Sequence, residues 1–582
     1  MLKLLRFLKP YWWQTILLLV SVAGQAWCSL QLPALMADIV NDGIVAGNSD
    51  ITLSIGLEML AYTVATVICA IITHFFSARV GAAFSRDLRE DFYKKVISFS
   101  VTEIDKFSTA SLITRTTNDI SQVQQAIMLM LTMMLRAPMM GIGAVVQAFR
   151  TAPDMTWILA LGVGLIIFFS VIILSLAIPK FKIFQTLIDK ITLLARENLT
   201  GLRVIRAFNK ESHEQKKFEK ANDELTENTI FLNKVMAFQD PLISLVFNGV
   251  TILIIWVGIN HLESDLSYLG NMMAFVQYAT HVLLSFLLLT MLFVILPRAS
   301  VSANRLNEVF ATKNKVTWRK KTEGVANVAP SVEFKKVSFA YPGADENVLT
   351  NISFEAKAGE TTAFIGSTGS GKSTLISLIP RFHEVTSGEI LVDGLNVKDF
   401  ASEDLMRRIG YVPQRGVLFS GNVKSNIAFG SPTATEEEIK SAAKIAQAEE
   451  FIKKLDGAFS AHIAQGGTNV SGGQKQRLSI ARAVAKKPEI FIFDDSFSAL
   501  DMKTDKKLRE ALKPETKNSV VLIVAQRINT IKDADQIIVL DEGKIVGKGD
   551  HRSLLKTCKV YREIVKSQFS EAEYKKELSY AR

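Results

Sequence analysis

The chain has 582 residues, 67 Lys plus Arg against 57 Asp plus Glu, and a formal net charge of +10. With 48% hydrophobic and only 21% charged residues it is too apolar for a disordered, collagen-like or low-complexity chain, and its length admits several domains. Cys28, Cys69 and Cys558 lie far apart without a CxxC, which excludes a disulfide scaffold and a cysteine-based zinc site. The apolar residues are unevenly spread: long, nearly uncharged stretches end before residue 300, and the remainder has the composition of a soluble domain.

Residues 1–10 place Lys3, Arg6 and Lys9 among leucines, and Tyr11, Trp12 and Trp13 follow. No small-residue cleavage site comes next and the apolar run is too long for a signal peptide. The pattern predicts an amphipathic segment on the inner membrane surface with an interfacial aromatic belt. Six stretches are long enough to cross a bilayer, which takes about 20 mostly apolar residues: 15–40, 53–76, 127–149, 157–178, 242–259 and 272–296. The connections at 41–50 and 261–267 contain no Lys or Arg and that at 150–154 has one, whereas 86–115 and 180–234 are rich in basic residues. The positive-inside rule puts both termini and the two long charged connections in the cytoplasm. The excess positive charge is then explained without nucleic acid, for which no basic-aromatic motif is present.

Those two connections have helical periodicity, as in Leu88, Phe92 and Val96. They predict membrane helices that extend into the cytoplasm and turn at tips, at 105–119 and 198–211, able to dock on a soluble domain. Within the spans, Gln277, His281 and Ser285 recur every four residues with Tyr278 adjacent, and Arg136 precedes Pro138 in a stretch holding Met128, Met130, Met133, Met134, Met139 and Met140. Lipid solvates polar groups badly, so such residues face a cavity or a partner helix. Flexible methionines suit a surface that accepts varied ligands. Arg136, Gln277, Tyr278, His281 and Ser285 are therefore candidates for a substrate cavity, with helix packing as the equal alternative.

Residues 311–330 are polar and aperiodic, a linker between a membrane domain at 1–310 and a soluble domain at 331–582. In the soluble domain an apolar strand at 361–365 runs into Gly366-Ser367-Thr368-Gly369-Ser370-Gly371-Lys372-Ser373-Thr374, with a helix after it. That is a P-loop in its required context: backbone N–H groups close round the phosphates of ATP, Lys372 reaches the β- and γ-phosphates, and Ser373 ligates Mg²⁺. A second apolar strand, 489–493, ends in Asp494, suited to hold Mg²⁺. Between them Ser471-Gly472-Gly473-Gln474 opens a helix, a second phosphate-seeking element with N–H donors and the positive end of the helix dipole. One γ-phosphate cannot easily use both grips from one chain, which points to a dimer with ATP sandwiched between chains.

On these residues the sequence resembles the ATP-binding-cassette exporters over essentially its whole length. The motifs come in the family's order: Tyr341, the P-loop, Gln414 in Tyr411-Val412-Pro413-Gln414, the Ser-Gly-Gly-Gln signature, Asp494, and Ser498-Ala499-Leu500-Asp501. The resemblance implies a six-helix membrane domain fused to an α/β P-loop nucleotide-binding domain, hydrolysing ATP as a dimer. It implies that Tyr341 stacks on adenine, that Gln414 touches Mg²⁺, that Ser498–Asp501 form the D-loop, and that the cytoplasmic tips dock near the Gln414 loop.

Two departures from the family's pattern weaken one site. After Asp494 the family's hydrolytic members carry a Glu that orients the attacking water; here the residue is Asp495. Where the family has a switch His facing the γ-phosphate, this chain has Gln526, which can hydrogen-bond but cannot carry charge. Gln465 also stands where many exporters have Glu just before the signature. The signature itself, which serves the opposite site, is intact. The chain thus resembles the degenerate-site subunit of heterodimeric bacterial multidrug exporters, set in the plasma membrane and partnered by a homologous half-transporter with an intact Glu and His. The expected cargo is a hydrophobic or amphipathic small molecule. A lipid or peptide exporter subunit, and a non-hydrolysing ATP-clamping regulatory or channel subunit, are the alternatives.

Overall fold

The computed structural model describes residues 2–262, 268–322 and 329–581. The connection predicted at 261–267 and the linker predicted at 311–330 therefore lie partly outside the described residues. The chain divides into two compact units, Met1–Ile97 with Ala110–Ala311, and Ser98–Thr109 with Thr312–Arg582.

The first unit is helical. Six of its long helices, Trp12–Asp38, Ser49–Ile97, Ile120–Thr151, Thr156–Thr200, Gln239–Leu262 and Tyr268–Ala311, hold the predicted spans, the first of which runs on past Asp38 into the π-helix Ile39–Val45. Pro33, Pro138, Pro179 and Pro297 sit inside these helices, tolerated where neighbouring helices re-satisfy the freed backbone groups. Ala26, Leu30, Ala144, Ala148, Ile158, Ile254 and Phe275 form the helical core, while Leu53, Leu57, Ile71, Ile142, Phe168 and Trp256 stay exposed, an apolar outer surface fit for lipid. Residues Leu2–Tyr11 form a 3₁₀ helix in which Leu4 and Phe7 are buried and Phe7 packs edge-on to Phe84. Trp12 and Trp13 remain exposed beside it, as an interfacial belt requires.

The first of the two predicted tips turns nearer the N-terminus than 105–119. Ser100 caps the helix Val101–Phe107, with Ser100 N donating to Glu103 Oε2 at 3.0 Å, and Ser108 breaks it at φ 60°. Residues 110–119 already belong to the returning helix, which holds a π-helical turn at Arg115–Asp119. There Ser302 Oγ donates to Asp119 Oδ1 at 2.9 Å, and Arg115 Nη1 bonds Glu308 Oε2 at 3.0 Å. The capping box Ser100-x-x-Glu103, a local start signal, sets this position. The second tip, Leu202–Ala207, falls inside 198–211, between Gly201 and Asn209 at φ 51°.

The second unit is α/β. A six-stranded sheet runs Lys544–Gly549, Gln536–Asp541, Thr361–Gly366, Val520–Val524, Ile490–Asp494, Ile409–Val412. Only its first pair is antiparallel. Strands such as Val520–Val524 are buried along their whole length, the continuous apolar run that a two-sided parallel sheet demands. A four-stranded antiparallel sheet, in the order Leu349–Lys357, Ser331–Phe339, Ser387–Val392, Leu395–Asn396, packs through Phe334, Phe354 and Ile390 on the same core as Phe364 and Leu375. Because Val524 pairs with both Phe364 and Asp494, the carboxyl ends of three parallel strands meet at one edge. That edge is where open α/β sheets bind ligands. Of the linker, Val316 is buried and Trp318 lies under the Arg381 guanidinium.

Candidate functional site

The loop leaving strand Thr361–Gly366 needs glycine for steric reasons. Gly369 and Gly371 have φ of 86° and 92°, and a Cβ at Gly371 would come within 2.7 Å of Leu349 Cδ2 and 3.1 Å of Val348 O. The helix Lys372–Ser377 then begins, and the Lys372 ammonium folds back over the loop. It donates to Gly366 O at 2.9 Å, Ser367 O at 2.6 Å and Ser370 Oγ at 3.2 Å. Burial lowers the Lys372 pKa, against the pull of the Asp495 and Asp494 carboxylates. A desolvated ammonium held at the mouth of an N–H-lined loop is a receptor for polyanionic phosphate.

Next to it Ser373 Oγ donates to Asp494 Oδ1 at 2.7 Å. Asp494 is 6% exposed, and its pKa is raised by burial foremost, with the Ser373 hydrogen bond opposing and the Asp495 charge adding. A hydroxyl and a carboxylate at this spacing are hard oxygen donors fit for Mg²⁺ with phosphate oxygens and water completing its shell. Tyr411 Oη also reaches Asp494 Oδ2, at 3.5 Å.

Asp495, beyond the strand end, adopts φ 46°, a left-handed conformation that Asp tolerates better than most residues. Its Oδ2 accepts from both Gln414 Nε2 at 3.2 Å and Gln526 Nε2 at 3.0 Å. Burial raises the Asp495 pKa, against hydrogen bonds from Gln414 and Ser498. Two amides far apart in sequence thus converge on one short carboxylate. Tyr341 is half exposed, with its Oη 2.9 Å from Thr374 Oγ1 and its ring edge-on to His383. Beside it opens a cleft of about 520 Å³, and Thr102 Oγ1 of the first tip lies 3.1 Å from His383 Nδ1 on that side.

The second grip is built separately. Ser471 caps the helix Gly472–Ala485: Gln474 N donates to Ser471 Oγ at 3.3 Å and Ser471 N to Gln474 Oε1 at 2.8 Å. Ser471 and Gly472 are exposed, and a methyl group added to Gly472 would meet nothing within 4 Å. A Cβ on Gly473 would lie 3.2 Å from Ala499 O, so the grip abuts the segment Ser498, Ala499, Leu500, Asp501, which ends as Asp501 caps the helix Met502–Glu515. Among the described residues no hydrogen bond joins Ser471, Gly472 or Gly473 to the P-loop.

Residues 15–287 match the ABC transporter transmembrane region and residues 349–498 the ABC transporter domain. An uncharacterized ABC transporter ATP-binding protein of Mycobacterium tuberculosis is 40% identical over 98% of both chains. The chain belongs to the ABC transporters. One from Bacillus subtilis, also uncharacterized, is 38% identical over 98% of this chain and 99% of its own. An ATP-dependent lipid A-core flippase of Hahella chejuensis is 33% identical over 86% of this chain and 85% of its own. The fold matches that of a bacterial Atm1-family ABC exporter with ATP bound at TM-score 0.79, with 22% identity over 97% of this chain and 99% of that one. The protein is an ATP-driven ABC exporter of the membrane, a class that hydrolyses ATP.

Of the residues singled out in the sequence, Lys372 bonds within the P-loop, Ser373 pairs with Asp494, and Gln414 and Gln526 both pair with the adjacent Asp495. The intramembrane candidates separate. Tyr278 is buried with its Oη donating to Leu30 O at 3.2 Å, and Ser285 is buried against Gly141. Gln277 is exposed, and Arg136 and His281 are half-buried. Sequence reasoning gave Tyr411 and His383 no role. The one available signal was that Tyr411 lies within the Gln414 motif; nothing local marks His383.

Proposed function

We propose that this chain is one subunit of a heterodimeric exporter whose own ATP site binds and holds nucleotide, while its signature completes the partner's hydrolytic site. The carrying observation is Asp495. Its carboxylate is one methylene shorter than the family's Glu and is held back by the amides of Gln414 and Gln526 at 3.2 and 3.0 Å. No imidazole stands at the switch position. Neither amide can take a proton from water, and neither carries a charge toward a γ-phosphate. Lys372 and the P-loop N–H groups from Gly366 to Thr374 grip the phosphates, and Tyr341 receives the adenine. Ser373, Asp494 and Gln414 hold Mg²⁺, which when bound neutralises phosphate charge. The open surface at Ser471–Gly472 supports a second chain's nucleotide as occupant.

The proposed layout is a membrane domain at 1–310, a linker at 311–330 and an ATP domain at 331–582, with both termini cytoplasmic. The cargo is a hydrophobic or amphipathic small molecule of the drug type. The 33% identical lipid A-core flippase favours a second reading, in which the cargo is a lipid.

The test exploits the two grips. Ser471→Ala removes a donor expected at the partner's nucleotide, and such electrostatic contacts are worth about 10²–10³ in rate. It should lower kcat of the heterodimer and dye or lipid efflux together. Lys372→Ala acts on this chain's own nucleotide and should chiefly raise the ATP concentration required. ATPase and transport are measured in the same vesicles across an ATP titration. If Ser471→Ala leaves both rates unchanged, the assignment of the signature is wrong. If both variants stop hydrolysis while substrate flux persists, the chain serves a channel-like clamp.

A further inference from the structure

The short helix Ile528–Ile531, directly after the switch position, begins without a cap of its own. Its N-cap is Arg527, and no side chain of the segment caps it; arginine has donors only. The first N–H groups of any helix need an outside acceptor. Here that acceptor is Gln568 Oε1, which takes a hydrogen bond from Ile528 N at 2.9 Å. The Nε2 of the same side chain donates to Gln526 O at 2.7 Å. One amide therefore grips the backbone on both sides of Arg527, and Gln526 in turn reaches Asp495 at 3.0 Å.

The grip is firmly mounted. Gln568 is the last residue of the helix Lys559–Gln568, whose Tyr561 and Val565 are fully buried in the domain core. The far end of the switch segment is also held from the C-terminus. Lys532, which follows the helix Ile528–Ile531, lies 4.0 Å from Glu577 on the helix Glu571–Ala581. The two terminal helices thus meet the switch segment at its start and at its end.

We propose that Gln568 is a positioning residue for the ATP site, fixing the backbone that carries Gln526 so that the nucleotide's γ-phosphate is read by an ordered switch. The proposal rests on the reading that Gln526 faces the γ-phosphate.

The experiment uses the full chain in lipid nanodiscs and amide hydrogen exchange of peptides covering 523–531 and the P-loop, with ATP or ADP. In the unaltered protein ATP should protect 523–531 more than ADP does. Gln568→Leu loses both hydrogen bonds and should speed exchange at 526–531 by about tenfold, the scale of two such bonds. It should also erase the difference between ATP and ADP while leaving the P-loop peptide unchanged. Gln568→Glu keeps the acceptor for Ile528 N but sets a carboxylate against Gln526 O. Its exchange, corrected for the intrinsic rate, should be fast at neutral pH and return toward the unaltered protein's as the carboxyl is protonated in acid. A Gln568→Leu protein that retains the ATP–ADP difference overturns the proposal, as does faster exchange spread equally to the P-loop. If the unaltered protein shows no ATP–ADP difference at 523–531, the reading of Gln526 fails instead.

Discussion

Lengthening Asp495 by one methylene should restore hydrolysis to this chain's own site. The Asp495→Glu side chain extends the carboxylate by about 1.5 Å, a carbon–carbon bond length, and frees it from amides now 3.2 and 3.0 Å away. Misplacement of about 1 Å costs on the order of 10² in rate, or about 2.7 kcal/mol of barrier. The backbone opposes the change, because φ at Asp495 is 46° and a longer L-residue there costs roughly 1–2 kcal/mol. Activity should therefore rise while stability falls, a combination that a purely structural residue would not give. The assay is turnover at saturating ATP by the purified chain in nanodiscs, with Tm measured alongside. We expect a gain of about 10- to 100-fold, and a further gain when Gln526→His is added. A variant that binds ATP normally yet hydrolyses no faster would refute the argument that carboxylate reach limits this site.

Gly371→Ala should lower Tm by several degrees and abolish binding of a fluorescent ATP analogue, because its Cβ would press on Leu349 Cδ2 at 2.7 Å at a φ of 92°; unaltered binding would mean the loop relaxes freely. His551 is buried with Nδ1 2.7 Å from Tyr561 Oη, and burial lowers its pKa below that of the unfolded chain, against the pull of Glu577. A base with a depressed folded-state pKa contributes stability present above about pH 6.5 and lost as pH falls through the folded value. Thermal stability of the chain should therefore fall below about pH 6.5, and His551→Gln should flatten that slope; an unchanged slope would remove His551 as its source.

The six spans are legible in the sequence because a bilayer demands long apolar runs whatever the neighbours do. That Ser49–Ile97 and Thr156–Thr200 continue as helices well past the apolar stretch is also legible, because amphipathic periodicity such as Leu88, Phe92 and Val96 takes over there from hydropathy. The first tip was displaced because its start depends on one hydrogen-bonded pair, Ser100 and Glu103, rather than on any change in composition. The P-loop, Asp494 and the signature are readable because each is a contiguous motif whose geometry is local. The double amide contact on Asp495 is not local: Gln414 and Gln526 arrive from separate strand ends, and only the sheet order brings them together. Gln568 lies 42 residues from its acceptor Gln526 and leaves no pattern in the sequence at all.

The central claim is that this ABC exporter chain is catalytically incomplete without a different partner. The direct test is the ATPase rate of the chain purified alone in lipid, with and without transport substrates, against the same chain co-purified with a homologous half-transporter that carries Glu and His at the positions of Asp495 and Gln526. The account predicts little turnover by the chain alone and substantial, substrate-stimulated turnover by the pair. Robust substrate-stimulated hydrolysis by the chain alone would contradict it.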